Sequence, residues 1–466
     1  MSTHVPVPSF LTRCANDEFI PPPLNDVERT AARLSAQAVE SASERLHMSA
    51  VDFTKSRRGI ATGLLAVNEA NGNEFYRVPD AASLDDAAAN EALGGDELII
   101  DIQTHYIAGR AGNAGNRELI HTLFPLYGPD WWEGIKPEDA LDFVDYLRCV
   151  FLESDTAVAV LSSAPGITDE RMLHNHEMAG TRLLLERLGA QDRLLNHAVV
   201  HPGVDGEIAR MPEVKERIGP AGWKVYTIGA TTPSDYGTIT PWFLDDEIGV
   251  QFLEQVRASD VKLVCAHKGL SGLVPTGSPR DFGPAAMMFP DIDFVAYHSG
   301  FEPGDGGPDD ANREGPYTEA TANIGVNRLV STVVEHGIEP GSNIYAELGS
   351  TWYCLIKRPV EQAHVIGKLL KYLGPDNVLW GTDAIWYGPT QAAVDTFRAF
   401  QIPNWMQEQF GYPELTPELK AKILGINAAK VYGIDTVTAQ SNMRVDDMAW
   451  ARAAIEEFRA TGTPTL

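Results

Sequence analysis

Short apolar runs recur along most of the chain, and each ends in a polar residue or a glycine. Helix-like segments separate many of these runs, which are almost continuously apolar, as the buried strands of a parallel sheet are. We count eight runs, at 98–106, 156–165, 195–203, 223–230, 261–269, 292–300, 343–350 and 377–384. Eight strand–helix units in series predict a closed (β/α)8 TIM barrel of the α/β class.

The predicted barrel covers residues 96–435 and leaves two extensions. Residues 1–95 are expected to be extended at first and then helical, because apolar residues recur at three- and four-residue spacing over 26–70. Residues 436–466 are expected to form a C-terminal tail helix. The alternative fold, an open doubly wound sheet, usually has a GxGxxG turn after its first strand, and none follows the first run here.

Composition restricts the possible partners of the protein. The formal net charge of −27 argues against a surface for nucleic acid or for anionic membranes. No apolar run reaches the roughly 18 residues of a membrane helix. The four cysteines form no CxxC pair, which argues against a disulfide framework or a thiolate zinc site and is typical of a reducing cytoplasm. We therefore expect a cytoplasmic protein that acts on a small molecule.

Polar residues at the ends of the runs indicate where the chemistry lies. Active sites of TIM barrels are found at the C-terminal ends of the strands. Several imidazoles and a carboxylate around one barrel mouth are the expected ligands of a divalent metal. The residues at these ends are Gln103 and His105 on the first run, His201 on the third, His267 on the fifth, His298 on the sixth, Glu347 on the seventh and Asp383 on the eighth.

Four motifs and one helix carry a resemblance to a known family. The motifs are "DIQTH" on the first run, "CAHKG" on the fifth, "AYHSG" on the sixth and "LWGTDAIW" on the eighth, and the helix is "LKAKILGINAAKVYGI" at 419–434. With them, residues 95–435 resemble the amidohydrolase superfamily, in the branch that includes aminocarboxymuconate semialdehyde decarboxylase and γ-resorcylate decarboxylase. The resemblance implies a metal-dependent hydrolase, or a non-oxidative decarboxylase (a lyase), acting on a small carboxylated or aromatic substrate.

The resemblance also implies roles for individual residues. His105, His267 and Asp383 match metal ligands of the family, and His298 matches the acid–base histidine beside the metal. Gln103 stands where the family usually has the first histidine of a His-x-His pair, so it is expected to bind the metal weakly or to hold a metal-bound water. Family members with two metals bridge them with a carboxylated lysine or a carboxylate at the end of the fourth strand. Here the fourth run ends in "TIGA" and Lys224 is at its beginning, so one metal is expected. Zinc is the first choice, with iron or manganese as alternatives.

The residue types support this chemistry. Two histidines and one carboxylate leave metal positions open for water and substrate. Asp383 could accept a proton from a metal-bound water, and His298 could orient the nucleophile or protonate the product. His201, Glu347 and Trp386 are expected to contact substrate. The Gly-rich loop 300–315 is expected either to cover the mouth or to be a disordered surface insertion.

Two other functions use the same residue set. A two-histidine, one-carboxylate site is also found in non-haem iron oxygenases, and the chain resembles the 2-aminoisobutyrate hydroxylase subunits of this fold. The chain could also be a catalytically silent subunit with a structural metal. In each case the helices predicted over 26–70 must bury an apolar face. We expect them to pack across a subunit boundary, in a homo-oligomer or with a related barrel subunit.

Overall fold

All eight predicted runs contain strands in the computed structural model, which describes residues 5–16, 18–19, 21–109, 141–164, 171–229, 239–270, 274–303 and 314–461. The third run contains two short strands, because the pairing is interrupted at His197. The strands are β1 (Ile99–Thr104), β2 (Thr156–Leu161), β3 (Leu194–Asn196), β4 (Ala198–Val200), β5 (Trp223–Tyr226), β6 (Leu263–His267), β7 (Asp293–Tyr297), β8 (Ile344–Glu347) and β9 (Val378–Leu379).

The strands are parallel and follow one another in chain order. They form a three-stranded sheet, β1-β2-β3, and a six-stranded sheet, β4 to β9. The backbone N–H of His197 donates to the carbonyl of Leu161 over 3.0 Å, so the chain between β3 and β4 bonds back to β2. At the other edge the N–H of Ile102, in β1, donates to the carbonyl of Trp380, just after β9, over 3.1 Å. The predicted α/β fold with TIM-barrel strand order is confirmed.

Helices surround the strands and form both extensions. Many are capped as their sequences predict; the first begins after Asn25, whose side chain accepts from the backbone N–H of Glu28. The helices are α1 (Asp26–Leu46), α2 (Ala50–Lys55), α3 (Arg57–Asn71), α4 (Asp86–Leu93), α5 (Phe143–Leu147), α6 (Asn175–Arg187), α7 (Glu207–Ile218), α8 (Glu247–Ala258), α9 (Phe282–Met288), α10 (Asn327–Glu335), α11 (Thr351–Leu355), α12 (Pro359–Tyr372), α13 (Gln391–Ala399), α14 (Asn404–Phe410), α15 (Pro417–Ala421), α16 (Asn427–Tyr432), α17 (Thr436–Val445) and α18 (Asp447–Thr461).

The N-terminal helices pack on the barrel of their own chain. Ala31, Leu64 and Val67 are fully buried in the main hydrophobic core together with barrel residues. The guanidinium of Arg358 lies 2.6 Å from the carboxylate of Glu28, which joins α1 to the segment before α12. The apolar faces are therefore covered within the chain, and our reason for placing them at a subunit boundary was wrong. An oligomer stays a prediction without that support.

The C-terminal tail is held against the barrel by charged residues. Arg452, on α18, donates to the carboxylate of Asp155 over 2.8 Å, just before β2. Arg193, just before β3, lies 3.0 Å from the carboxylate of Asp446. Within the part of the chain that the structure describes, no helix is both long and apolar enough to cross a membrane.

Candidate metal centre

The polar face of β1 meets Asp383 at the barrel mouth. Gln103 and His105 lie two positions apart and share one face of the strand region, as alternation in a strand requires. The Nε2 of His105 is 3.3 Å from Oδ1 of Asp383, and the amide nitrogen of Gln103 is 2.9 Å from the same oxygen. All three side chains are almost completely buried. The first and last strands thus place an imidazole, an amide and a carboxylate together.

Two further histidines lie beside this group. His267 is the last residue of β6 and His298 directly follows β7, and their ring centres are 4.8 Å apart. Tyr226, at the end of β5, stacks on His267 with ring centres 4.8 Å apart. The amide nitrogen of Gln103 lies 3.3 Å from Nε2 of His298. Gln103 therefore connects the His298 side of the site to Asp383.

The surroundings of His298 fix which ring nitrogen carries the proton. Its Nδ1 lies 2.8 Å from the carbonyl oxygen of Gly349, which can only accept, so Nδ1 is the donor. Burial lowers the pKa of His298 to about 4, although the negative charge of Asp383 acts in the opposite direction. The imidazole is therefore neutral near pH 7, with an unprotonated Nε2 turned toward Gln103.

Asp383 is surrounded by hydrogen-bond donors. Gln103 and His105 contact Oδ1, and on Oδ2 the amide of Asn16 donates over 2.8 Å and the hydroxyl of Ser350 over 2.5 Å. Burial by itself would raise the pKa of Asp383, but the hydrogen bond from His105 and the other contacts lower it below its ordinary value. The carboxylate is therefore ionised and held in one orientation.

Glu347 and two glycines support the backbone of the site. His298 and Asp383 have φ angles of +62° and +59°, which non-glycine residues seldom adopt outside functional sites. Oε2 of Glu347 accepts from the backbone N–H of His298 over 3.0 Å, and Oε1 accepts from the N–H of Gly349. Burial raises the pKa of Glu347 to about 8, and the two backbone donors oppose that rise. A Cβ at Gly381 would lie 1.8 Å from Oε1 of Glu347, so this close packing requires glycine.

The N-terminal extension reaches the same site. Glu18 is partly exposed, and its Oε2 lies 3.4 Å from Nε2 of His267. One potential ligand atom from each of Glu18, His267 and His298 lies within 4.8 Å of the other two. Among the described residues, no other group of three or more histidine, cysteine or acidic side chains has its ligand atoms within this distance of one another.

The donor chemistry of these residues fits a divalent metal. Burial lowers the pKa of His267, and the adjacent His298 lowers it further, so this imidazole is also neutral. Neutral imidazoles and ionised carboxylates are ligands that zinc, iron and manganese accept. Two of the predicted ligand atoms, Nε2 of His105 and Oδ1 of Asp383, are 3.3 Å apart.

The structure places the other predicted residues as follows. The ring of Trp386 lies 6.3 Å from that of His105, beside the site. His201 contacts Arg171 over 3.2 Å and Glu207 over 3.9 Å. Neither of these residues belongs to the group around Asp383. Lys224 is buried, with Nζ 3.4 Å from the centre of the Tyr297 ring. Residues 304–313 of the predicted covering loop lie outside the described residues.

Asn16, Glu18 and Ser350 are site residues that the sequence reasoning missed. Ser350 ends the "AELGS" motif, three residues after Glu347, so its position at a strand end was a usable signal. Asn16 and Glu18 lie in a proline-rich stretch far upstream of β1, and no local pattern marks them.

The chain belongs to the amidohydrolase family, because the family's model matches residues 100–434. No curated protein sequence matches the chain. A TIM-barrel protein from Bordetella bronchiseptica is 15% identical, and the match covers 74% of this chain and 99% of that one with a TM-score of 0.47. A 5-carboxyvanillate decarboxylase from Sphingomonas paucimobilis is 16% identical, covering 72% and 99%, with a TM-score of 0.42. A dihydroxybenzoic acid decarboxylase from a Polaromonas species, solved with manganese, is 15% identical, covering 72% and 97%, with a TM-score of 0.45.

Proposed function

We propose that the protein is a metal-dependent enzyme that hydrolyses a C–N or C–O bond, or removes CO2 without oxidation, from a small carboxylated or aromatic substrate. The observation that carries the proposal is the contact of His105 with Asp383, 3.3 Å apart at the barrel mouth, with the neutral imidazole of His298 beside them. This arrangement lies where enzymes with this barrel place their active sites.

One divalent ion, zinc in the first instance, would be held by His105, His267 and Asp383, with Gln103 adjoining. When bound, such an ion polarises a carbonyl or carboxylate oxygen and lowers the pKa of a bound water. Asp383 keeps its negative charge because hydrogen bonds lower its pKa, so it suits a ligand better than a proton acceptor.

His298 is the better candidate for proton transfer. Its Nδ1–H is fixed by the carbonyl of Gly349, so Nε2 can accept a proton from a nucleophile or return one to a product. Glu347 positions His298 by accepting from its backbone N–H. In hydrolysis Nε2 would take the proton of the attacking water. In decarboxylation Nε2 would first take a proton from a water or a substrate hydroxyl and then pass it to the carbon that loses CO2.

Substrate contacts are proposed for two sides of the mouth. Trp386 offers an apolar wall next to His105. His201 and the buried Arg171 offer hydrogen-bond donors, and a guanidinium suits a substrate carboxylate.

The test is a substrate screen on metal-loaded protein. Small aromatic carboxylates, amides and lactones are assayed for CO2 release and for 18O incorporation from labelled water. Turnover of either kind that is lost in His298→Asn, with metal content retained, supports the proposal. Metal-free His298→Asn would make His298 a ligand and overturn the role given to it. Substrate-dependent oxygen uptake would replace the proposal with an oxygenase activity.

A further inference from the structure

We propose that Glu18 is a ligand of the same metal, so that a residue outside the family domain completes the site. The inference rests on the proposed function, since it assumes that the barrel mouth binds a divalent ion. The family match begins at residue 100, whereas Glu18 lies in the N-terminal extension. The ligand that we infer is therefore absent from the part of the chain that the family defines.

The position of Glu18 is the first observation. Its Oε2 is 3.4 Å from Nε2 of His267, a separation typical of two neighbouring ligands of one ion. The ligand atoms of Glu18, His267 and His298 are all within 4.8 Å of one another. The carboxylate oxygen of Glu18 and Nε2 of His267 can therefore reach one divalent ion with small side-chain movements, and His298 lies beside that ion.

The second observation is that Asn16 fixes this part of the extension to the site. Asn16 is 3% exposed, and its Nδ2 donates to Oδ2 of Asp383 over 2.8 Å. Its Oδ1 accepts from the backbone N–H of Glu18 over 3.1 Å. One side chain therefore links the predicted ligand Asp383 to the backbone that carries Glu18, which limits how far Glu18 can move from the mouth.

Residues before Asn16 anchor the extension on the barrel. Phe10 and Leu11 are 1% exposed. The ring of Phe10 packs against Gly63 of α3, where a Cβ would lie 2.8 Å from Cζ. The hydroxyl of Ser9 lies 2.7 Å from that of Tyr353, on α11. Because these contacts already order the chain that leads to Glu18, binding a metal would immobilise chiefly the Glu18 side chain.

Gln103 leaves the barrel with one metal ligand fewer than the family usually has. The family position usually holds an imidazole, but here the amide nitrogen of Gln103 faces Asp383 and His298. An amide nitrogen is a donor and cannot bind a cation, and the Oε1 of Gln103 lies instead against Gly349, where a Cβ would be 2.2 Å from it. Glu18 supplies an oxygen ligand and a second negative charge, which with Asp383 balances the charge of a divalent ion.

The experiment compares metal affinity in four full-length proteins. Wild type, Glu18→Gln, Glu18→Asp and the exposed-site control Glu40→Gln are titrated with zinc against a chromophoric chelator. Each protein is also loaded with cobalt(II), whose visible spectrum reports ligand number and type without any assay of activity. Circular dichroism and thermal unfolding of the metal-free proteins show whether each variant is folded.

The proposal expects Glu18→Gln to bind zinc at least about 10- to 100-fold more weakly than wild type, because the loss of a partner that only supports a ligand already has an effect of that size. Its cobalt spectrum should also change. Glu18→Asp should recover part of the affinity, and Glu40→Gln should match wild type. If wild type binds zinc and a folded Glu18→Gln binds it equally with the same cobalt spectrum, the inference is overturned and the proposed function stands. If wild type binds no divalent metal, both are overturned.

Discussion

The side-chain amide of Gln103 donates a hydrogen bond to Oδ1 of Asp383 over 2.9 Å, joining the end of β1 to the residues after β9. The same nitrogen lies 3.3 Å from Nε2 of His298. Gln103 therefore supplies a hydrogen-bond donor to the proposed ligand Asp383. Replacing Gln103 therefore tests both the alignment of β1 and the role of the amide.

Gln103→His should bind zinc more tightly than wild type, because an imidazole is a better ligand for zinc than an amide. It should also change turnover, since it fills a position that the native site leaves to water or substrate. Competition with a chelator measures the first effect. The control is Gln191→His, which adds a histidine at an exposed position. Equal metal release by wild type and Gln103→His would mean that Gln103 does not face the metal.

Gly381→Ala should destabilise the metal-free protein by about 1–3 kcal/mol, the usual cost of overpacking. The added Cβ would lie 1.8 Å from Oε1 of Glu347 and 3.2 Å from Cβ of Gln103. The Glu347 carboxylate, which accepts from the backbone N–H of His298, must therefore move. Urea unfolding measures the change.

A matched glycine in a helix gives the control. Gly180, on α6, has open space at its added Cβ, because apart from its own helix backbone no described residue has an atom within 4 Å. Gly180→Ala should raise stability by about 0.5–1 kcal/mol through the greater helix propensity of alanine. Similar effects of the two substitutions would refute the close packing around Glu347.

The strands and the polar residues at their ends could be read from the sequence because both depend on local pattern. The run 261–269 contains β6, whose last residue is His267. Asp383 follows the last strand, as its motif implied. The positions of Asn16 and Glu18 could not be read in this way, because they depend on where a distant segment crosses the mouth. The burial of α1 and α3 on their own barrel also depends on tertiary packing, which helical periodicity does not specify.

His364 should make the protein less stable in acid. It is 6% exposed, its Nδ1 lies 3.0 Å from the hydroxyl of Tyr412, and burial lowers its pKa from 6.5 to about 4. Between these values the unfolded chain binds a proton that the native protein does not bind. Stability is therefore lost as pH falls from 6.5 toward 4, by at most about 1.4 kcal/mol per pH unit.

His364→Asn removes this contribution, so its free energy of unfolding should fall less steeply with decreasing pH over the same window. Urea unfolding of the metal-free proteins at several pH values gives the two slopes. Parallel slopes for wild type and His364→Asn would show that His364 takes up its proton equally in the native and unfolded states.

Arg452 should hold the C-terminal tail against the barrel. It donates to the carboxylate of Asp155 over 2.8 Å and to the carbonyl of Ser154 over 2.6 Å. Arg452→Ala should increase proteolytic cleavage in α18 and its rate of amide hydrogen exchange, because both contacts are lost. Arg444→Ala, at an exposed position on α17, is the control. Unchanged protection of α18 in Arg452→Ala would mean that other contacts hold the tail.

The central claim is that His105, His267 and Asp383 bind one divalent metal. The direct measurement is elemental analysis of the purified full-length protein beside Asp383→Ala, His267→Ala and the control His176→Ala, which changes an exposed histidine. Circular dichroism establishes that each variant is folded. The account predicts close to one equivalent of metal per chain in wild type and His176→Ala, and little in the two site variants. Equal metal content in all four folded proteins would contradict it.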